Sequence, residues 1–309
     1  AMTSGSGRAG ARSRDPMVVA GLPALLAGLG LCWLLTRPSG PGAAAVAGAI
    51  ALGAAVVLVG LGALPTIGAR PSSRVIGVVA ALWLMAVVSG AWLRTADVSG
   101  VAPLDVDLGD LAEVLADGAP EVLAGGAAVA VLVWAVLDLL TGIEIPVPVV
   151  AGLAAIGVLT VAISGHASVH PWGPVVVGAH ALAAAWWCGT LAAMVLSLRG
   201  RSGWATTLPA FSQRAAWAVG VVAVTGVIAG VAEVGGLGEL TSSGYGRVLL
   251  AKLAGLLVLI GFGWRHRRRW VPAAQRHRIS EVASIRAGVL EMLLMACLLY
   301  TSDAADDSL

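Results

Sequence analysis

Three histidines lie between residues 166 and 180, where one long apolar run ends and the next begins. His166 follows the first run and His170 lies in the short connection, whereas His180 lies inside the second run. At 1.5 Å per residue, about six residues into a helix place His180 roughly 9 Å deep. Two antiparallel helices joined so closely bring His166 and His180 together. Because imidazole is a good ligand for transition metals such as copper, the three side chains form a candidate metal site.

The same histidines have other interpretations that the sequence leaves open. In a purely structural one, His166 caps a helix end, His170 is solvated, and His180 hydrogen-bonds a neighbouring helix. In another, His166 and His180 are the axial ligands of a b-type haem. A third is a membrane assembly factor for a metalloenzyme such as cytochrome oxidase, in which the histidines help to fold the bundle and a partner performs the metal chemistry.

Two further residues of the second run bear on the metal site. Trp187 lies seven residues after His180 and shares its helix face, whereas Cys188 is turned from that face by about 80°. Cys188 is a candidate deeper ligand for Cu(I), yet free cysteine is also among the residue types most often buried.

Polar residues of the next two apolar runs are predicted to lie on the same side of the membrane. They are Glu233, Glu239, Tyr245, Arg247 and Lys252. Lys252 lies inside its run, where it can extend its ammonium group outward or pair with Glu233. Such an ion pair would hold two helices together. In the alternative interpretation, Arg247 or Lys252 sets the charge of a metal or anion site.

Composition identifies the elements that position these residues as membrane helices. Of 309 residues, 58% are hydrophobic and 12% are charged, with a mean hydropathy of +0.91. Because soluble domains carry about 25% charged residues, a water-soluble globule is excluded. The three cysteines are far apart and lie in apolar stretches, which excludes a disulfide framework or a CxxC metal knuckle. The predicted fold class is therefore all-α, a polytopic transmembrane bundle.

Apolar runs of membrane-spanning length predict about nine crossings. They lie at residues 17–35, 43–64, 75–93, 122–140, 147–164, 174–198, 215–233, 247–264 and 286–300.

The basic residues predict how the chain is oriented. A cytoplasmic N-terminus, with alternating crossings, places fifteen of the nineteen Lys and Arg residues inside. Arg37, Arg94 and Arg247 then lie outside and Lys252 lies within a span. The prediction is a multi-pass protein of the cell (cytoplasmic) membrane, with the lipid bilayer as its partner. Because the arginines are spread between the spans, no nucleic-acid partner is predicted.

The longest connection, residues 94–121, is rich in acidic side chains. Leu108, Leu111 and Leu115 repeat there at helical spacing, and carboxylates fill the opposite side. This pattern is typical of an amphipathic helix on the outer face. Its carboxylates either attract cations or form an ordinary solvated face.

The stretch from Ser164 to Pro272 resembles the CopD family of bacterial copper-resistance and copper-uptake membrane proteins. The motifs that carry the resemblance are Gly165-His166-Ala167; His180 followed by Ala183, Ala184, Trp186 or Trp187, Gly189 and Leu191; Phe211-Ser212-Gln213-Arg214; Thr225-Gly226; and Tyr245-Gly246-Arg247-Val248-Leu249-Leu250-Ala251-Lys252. The resemblance implies copper handling without an enzymatic activity. It implies His166 and His180 as the first ligands to consider, and an extracytoplasmic copper-binding protein of the CopC type as partner.

These observations predict four regions along the chain. Residues 1–16 form a cytoplasmic tail, and residues 17–145 form an N-terminal membrane half of about four spans that includes the acidic loop. Residues 146–300 form a CopD-like membrane domain of about five spans. Residues 301–309 are a polar tail that resembles translated adaptor sequence, so we expect it to be non-native and the natural chain to continue differently.

Overall fold

The computed structural model describes residues 42–116, 120–144, 146–163, 172–233 and 244–275, together with six residues between 282 and 289. Within these ranges, the side chains at 163, 232–233, 244–249, 251–252, 262, 266, 269 and 273–275 are not described. The helices are α1 (Ala43–Ala63), α2 (Ser73–Ser99), α3 (Leu108–Ala116), α4 (Pro120–Thr141), α5 (Val147–Ile163), α6 (Gly173–Ser197), α7 (Gly200–Glu233) and α8 (Gly244–Gln275). A short 3-10 helix, Leu64–Ile67, extends α1.

The prediction of an all-helical membrane protein is confirmed. The apolar runs from 43–64 to 247–264 each overlap one of the helices, although α7 begins 15 residues before its run and α8 ends 11 residues after its run. The described residues contain no strand. Within the described ranges, five helices are long and apolar enough to cross a membrane: α1 with its 3-10 extension, α2, α4, α6 and α7. The run at 17–35 and most of that at 286–300 lie outside the described residues, so the count of nine spans and the cytoplasmic N-terminus stay predictions.

Helix α1 occupies the centre of the bundle. It packs against α2, α5 and α6, while α4 packs against both α2 and α5. Helix α7 packs on α6, and α8 in turn packs on α7. The candidate histidine on α6 is thus held between this central bundle and the α7–α8 pair.

Glycine allows α1 and α6 to touch along their backbones. A Cβ atom added to Gly60 would lie 1.9 Å from the carbonyl carbon and oxygen of Gly189, and one added to Gly189 would lie 2.0 Å from the Val56 carbonyl oxygen. No side chain fits between the helices at this crossing. Small residues have this function in membrane bundles, because close backbone approach increases the dispersion contacts that hold the helices together.

A short hairpin connects α6 to α7 and makes them antiparallel. Helix α6 ends at Ser197 and α7 begins at Gly200, whose φ of +68° lies in the left-handed region. Glycine adopts this conformation without the steric cost of a Cβ atom. The far ends of α6 and α7 therefore meet on the opposite side of the bundle, where His180 lies.

The acidic connection between α2 and α4 is folded onto the bundle. The predicted amphipathic helix is confirmed as α3, which packs on α2. Nearby, the Trp92 indole Nε1 donates to the Pro103 carbonyl oxygen over 2.7 Å. Arg94 at the end of α2 forms an ion pair with Glu121 at the start of α4. The position of α3 on the outer membrane face stays a prediction.

We expect the Arg94–Glu121 pair to contribute modestly to stability. Both side chains are partly exposed, and ion pairs of this kind are worth about 0.2–1 kcal/mol. A double-mutant cycle of Arg94→Gln and Glu121→Gln, measured by unfolding in detergent micelles, should give a coupling free energy in that range. The coupling free energy should decrease as salt is added. Arg70→Gln, an exposed arginine outside this pair, is the control, and a coupling of zero would contradict the prediction.

Candidate functional site

His180 lies two turns into α6 and faces α7. Its side chain is half-buried, and its Nδ1 atom lies 3.0 Å from the Thr225 hydroxyl oxygen. The ring also packs against the next residue of α7, since a Cβ atom added to Gly226 would lie 3.5 Å from the His180 Cε1 atom. The adjacent Thr225-Gly226 pair thus provides both a hydrogen-bonding partner and room for the imidazole.

The hydrogen bonds of Thr225 favour one tautomer of His180. The Thr225 hydroxyl has a single proton, and it lies 2.6 Å from the Val221 carbonyl oxygen, to which it can donate that proton. With that bond made, the hydroxyl oxygen can accept from His180, which fits an imidazole that donates from Nδ1. In that tautomer of the neutral ring, the lone pair lies on Nε2. A histidine that binds a metal through Nε2 has this same arrangement, with the other ring nitrogen donating to an oxygen.

The contact with Thr225 also agrees with the structural interpretation of His180, in which the ring hydrogen-bonds a neighbouring helix. One hydrogen bond serves both interpretations, because it joins α6 to α7 and orients the ring. The tautomer with its lone pair on Nε2 is therefore compatible with both interpretations.

Most other residues predicted for the site are not described in enough detail to place their side chains. His166, His170 and Glu239 lie outside the described residues. Glu233 ends α7, and Tyr245, Arg247 and Lys252 lie in the first three turns of α8, but their side chains are not described. Among the residues that are described, no group of three or more His, Cys, Asp or Glu side chains could hold a metal ion.

The residues that follow His180 on α6 point in three directions. Trp187, on the same face, is 5% exposed and borders the space between α7 and α8. Gly189, nine residues after His180 and on the opposite face, contacts α1. Cys188 is half-buried against the core and forms no disulfide. Since Cys188 lies about 12 Å further along the helix and on another face, the structure does not bring it to His180.

Arginines gather at the opposite end of α6, α7 and α8. Arg199 and Arg201 lie at the α6–α7 turn, and Arg265, Arg267 and Arg268 lie towards the end of α8; all five are exposed. Exposed arginines at a helix end are typical of an anchor at lipid headgroups, but Trp270, on the same segment of α8, is buried. That side chain is 6% exposed, its ring lies 5.8 Å from the Trp204 ring, and its Nε1 atom donates to the Ser284 hydroxyl over 3.2 Å. Trp270 is a helix-packing residue.

A groove of about 410 Å³ runs between α7 and α8, with α6 at its base. Trp187 lines it from α6, Phe211 from α7, and Leu259 and Trp270 from α8. Sequence reasoning did not predict this groove, because its walls come from three helices whose packing order is not encoded in any local pattern. We call it the α6–α8 groove.

Sequence reasoning also missed what Thr225 does. The Thr225-Gly226 pair was recognised as a motif, but a threonine within an apolar run predicts only a bond to the preceding turn of its own helix. Its partnership with His180, 45 residues earlier, depends on the α6–α7 packing.

Comparison with known families agrees with the sequence motifs that lie between Phe211 and Lys252. The family model for copper resistance protein D, CopD, matches residues 205–303. The matched range contains Thr225 and all of α8, and it overlaps the resemblance predicted from Ser164 to Pro272. No curated protein and no solved structure matches the chain.

Proposed function

We propose, on the premise that residues 205–303 match the family model for copper resistance protein D, that the protein binds copper through His180 and transports it across the cytoplasmic membrane. Copper is the substrate in this proposal. The protein captures it at the extracytoplasmic face, and no enzymatic step is involved.

One observation carries the proposal: the hydrogen bond between His180 and Thr225. It orients the imidazole, and with Thr225 donating to Val221 it favours the tautomer with the proton on Nδ1 and the lone pair on Nε2. Such oxygen partners raise the basicity of a ligating histidine and fix its direction. The half-buried position of the ring supports the proposal too, because a ligand sheltered from bulk water loses less of its interaction with a metal ion to solvent.

The remaining ligands in the proposal are His166 and His170. Both precede α6 in the sequence, and the predicted topology puts them on the same side of the membrane as His180. Two or three imidazoles at the mouth of a helix bundle form a site that suits copper. A soluble copper-binding protein of the CopC type would deliver the ion there.

The distribution of arginines supports the proposed orientation. The five exposed arginines near the α6–α7 turn and the end of α8 lie at the end opposite His180. Basic residues are enriched on the cytoplasmic side of membrane proteins, so the histidine end faces outward. In this multi-pass arrangement, copper enters from the extracytoplasmic side.

The test is the copper content of the purified protein. In detergent, after dialysis against weak chelator, the native chain should retain about one copper ion, and the His166→Ala/His180→Ala double variant should lose it. His277→Ala is the matched control. This histidine lies between Arg276 and Arg278 in the sequence, so its replacement should leave the copper content unchanged. If the double variant retains native copper content and supports native copper accumulation in cells, the proposal is overturned.

The same preparation distinguishes the haem alternative. An intense Soret band in the absorption spectrum would require haem, and a preparation without one that retains copper agrees with the proposal. Nothing in the described part of the chain favours haem binding or an assembly role, so neither is proposed.

A further inference from the structure

The α6–α8 groove contains none of the proposed copper ligands, but its length and its lining residues suit a particular kind of ligand. One wall is a face of α7 whose side chains are small between Ser212 and Ala223, and the other is a face of α8 from Leu259 to Val271. The second wall corresponds to roughly 18 Å along the helix axis. This length is sufficient for an acyl chain, because one leaflet contributes about half of the ~30 Å hydrocarbon thickness.

The groove is polar at one end and apolar at the other. Since Trp204 at the start of α7 contacts Trp270 near the end of α8, the two helices run antiparallel. Arg267, Trp264 and Ser212 therefore lie towards one end of the groove, and Gly220 and Ala223 towards the other. Tryptophan and arginine are typical of the headgroup level, whereas the small apolar residues lie at the depth of lipid tails.

Arg267 provides a positive charge at the polar end that no described residue compensates. Its side chain is exposed and lines the groove, and no hydrogen bond or ion pair links it to any residue in the described part of the chain. The neighbouring Arg268 is held differently, with its guanidinium carbon 4.2 Å from the centre of the Trp264 ring. The amino-acid sequence of α8 contains no acidic residue that could neutralise either arginine.

We propose that the α6–α8 groove binds one anionic glycerophospholipid of the surrounding bilayer. Its phosphate pairs with Arg267, and one acyl chain lies along the small side chains of α7 towards Ala223. Charge complementarity selects the anionic headgroup, since a basic pocket between membrane helices attracts negatively charged lipid. The groove supplies the tail contacts that a free phosphate lacks. This lipid site does not depend on the copper proposal.

Lipid binding to delipidated protein in detergent tests the headgroup contact. Native mass spectrometry with dioleoyl phosphatidylglycerol should show one retained lipid, and dioleoyl phosphatidylcholine at the same concentration should be retained far less. Arg267→Gln should weaken phosphatidylglycerol binding about fivefold or more. Arg265→Gln is the matched control, because it removes the same charge from the same helix at a position that does not line the groove.

Filling the groove tests the tail contact. A Cβ atom added to Gly220 or Gly263, which both line the groove, meets no other atom within 4 Å. Leucine at either position should therefore occupy the lipid's space without displacing backbone, and the retained lipid should be lost. Gly261→Leu is the control, since it has equal room but does not line the groove.

Several results would overturn the lipid site. Two concern the variants: equal weakening of lipid binding by Arg267→Gln and Arg265→Gln, and native lipid retention in both groove-filling variants. Two concern the ligand: equal binding of phosphatidylcholine, and displacement of the lipid by glycerol phosphate at equal concentration. Each variant is first checked for a monodisperse elution profile. If the leucine variants aggregate, the comparison of the two arginine variants decides.

Discussion

Replacing Gly189 by alanine should destabilise the protein by several kcal/mol, although alanine is the better helix former. The added methyl group would lie 2.0 Å from the Val56 carbonyl oxygen, and that oxygen belongs to the backbone of α1. Backbone cannot move aside as a flexible side chain can, so α1 and α6 must separate. Overpacking a core commonly costs about 1–3 kcal/mol, and here the loss of contacts along the α1–α6 crossing adds to it.

Gly152→Ala is the matched control for this prediction. Gly152 lies within α5, and a Cβ atom added there meets no other atom within 4 Å. Thermal unfolding in detergent, followed by circular dichroism, should show a large decrease in the midpoint for Gly189→Ala and little change for Gly152→Ala. Gly60→Ala should resemble Gly189→Ala, and the two should be non-additive because they disrupt one contact. A native midpoint for Gly189→Ala would show that the helices do not cross at this glycine.

Replacing Thr225 by valine should weaken copper binding about 10–100-fold, the range typical for loss of a partner that orients a metal ligand. Valine has nearly the shape of threonine but no hydroxyl, so the Nδ1 proton of His180 loses its acceptor. The ring is then free to rotate or to move its proton to Nε2, and either change removes the lone pair from the metal. Thr225→Ser keeps the hydroxyl and should restore most of the affinity.

Competition against a chelator of known affinity measures this effect on copper binding. Unfolding of the same variants, measured in parallel, separates positioning from stability, because a purely structural hydroxyl would change the midpoint and leave the affinity of the folded fraction unchanged. X-ray absorption should also show fewer imidazole ligands in Thr225→Val. If valine binds copper as tightly as threonine, the hydroxyl does not position His180.

The helices themselves could be predicted because each depends on a local property. Long apolar runs identify α1, α2 and α4 to α8, and the leucine spacing from Leu108 to Leu115 identifies α3. A span requires enough apolar residues to cross the bilayer. It must be helical because the backbone has to satisfy its own hydrogen bonds there. Neighbouring residues along the chain contain all of this information.

Contacts between helices could not be predicted, because they depend on which helices are adjacent. Nothing local distinguishes Gly60 and Gly189, which support the α1–α6 crossing, from Gly220, which lines an open groove. His180 was predicted as a candidate from its type and depth, but its partner Thr225 emerged only from the packing of α7 on α6. The arrangement of His166 and His170 relative to His180 stays a prediction.

The crossing of α1 and α6 has a consequence for biosynthesis. Gly60 and Gly189 are separated by about 130 residues, so at roughly 5–20 residues per second α1 is synthesised several seconds or more before the helix it must touch. Until then Gly60 lacks its partner on α6, and the central packing is incomplete. The contact also crosses the predicted division near residue 145, so the N-terminal half acquires its final packing only after translation has passed well into the second half.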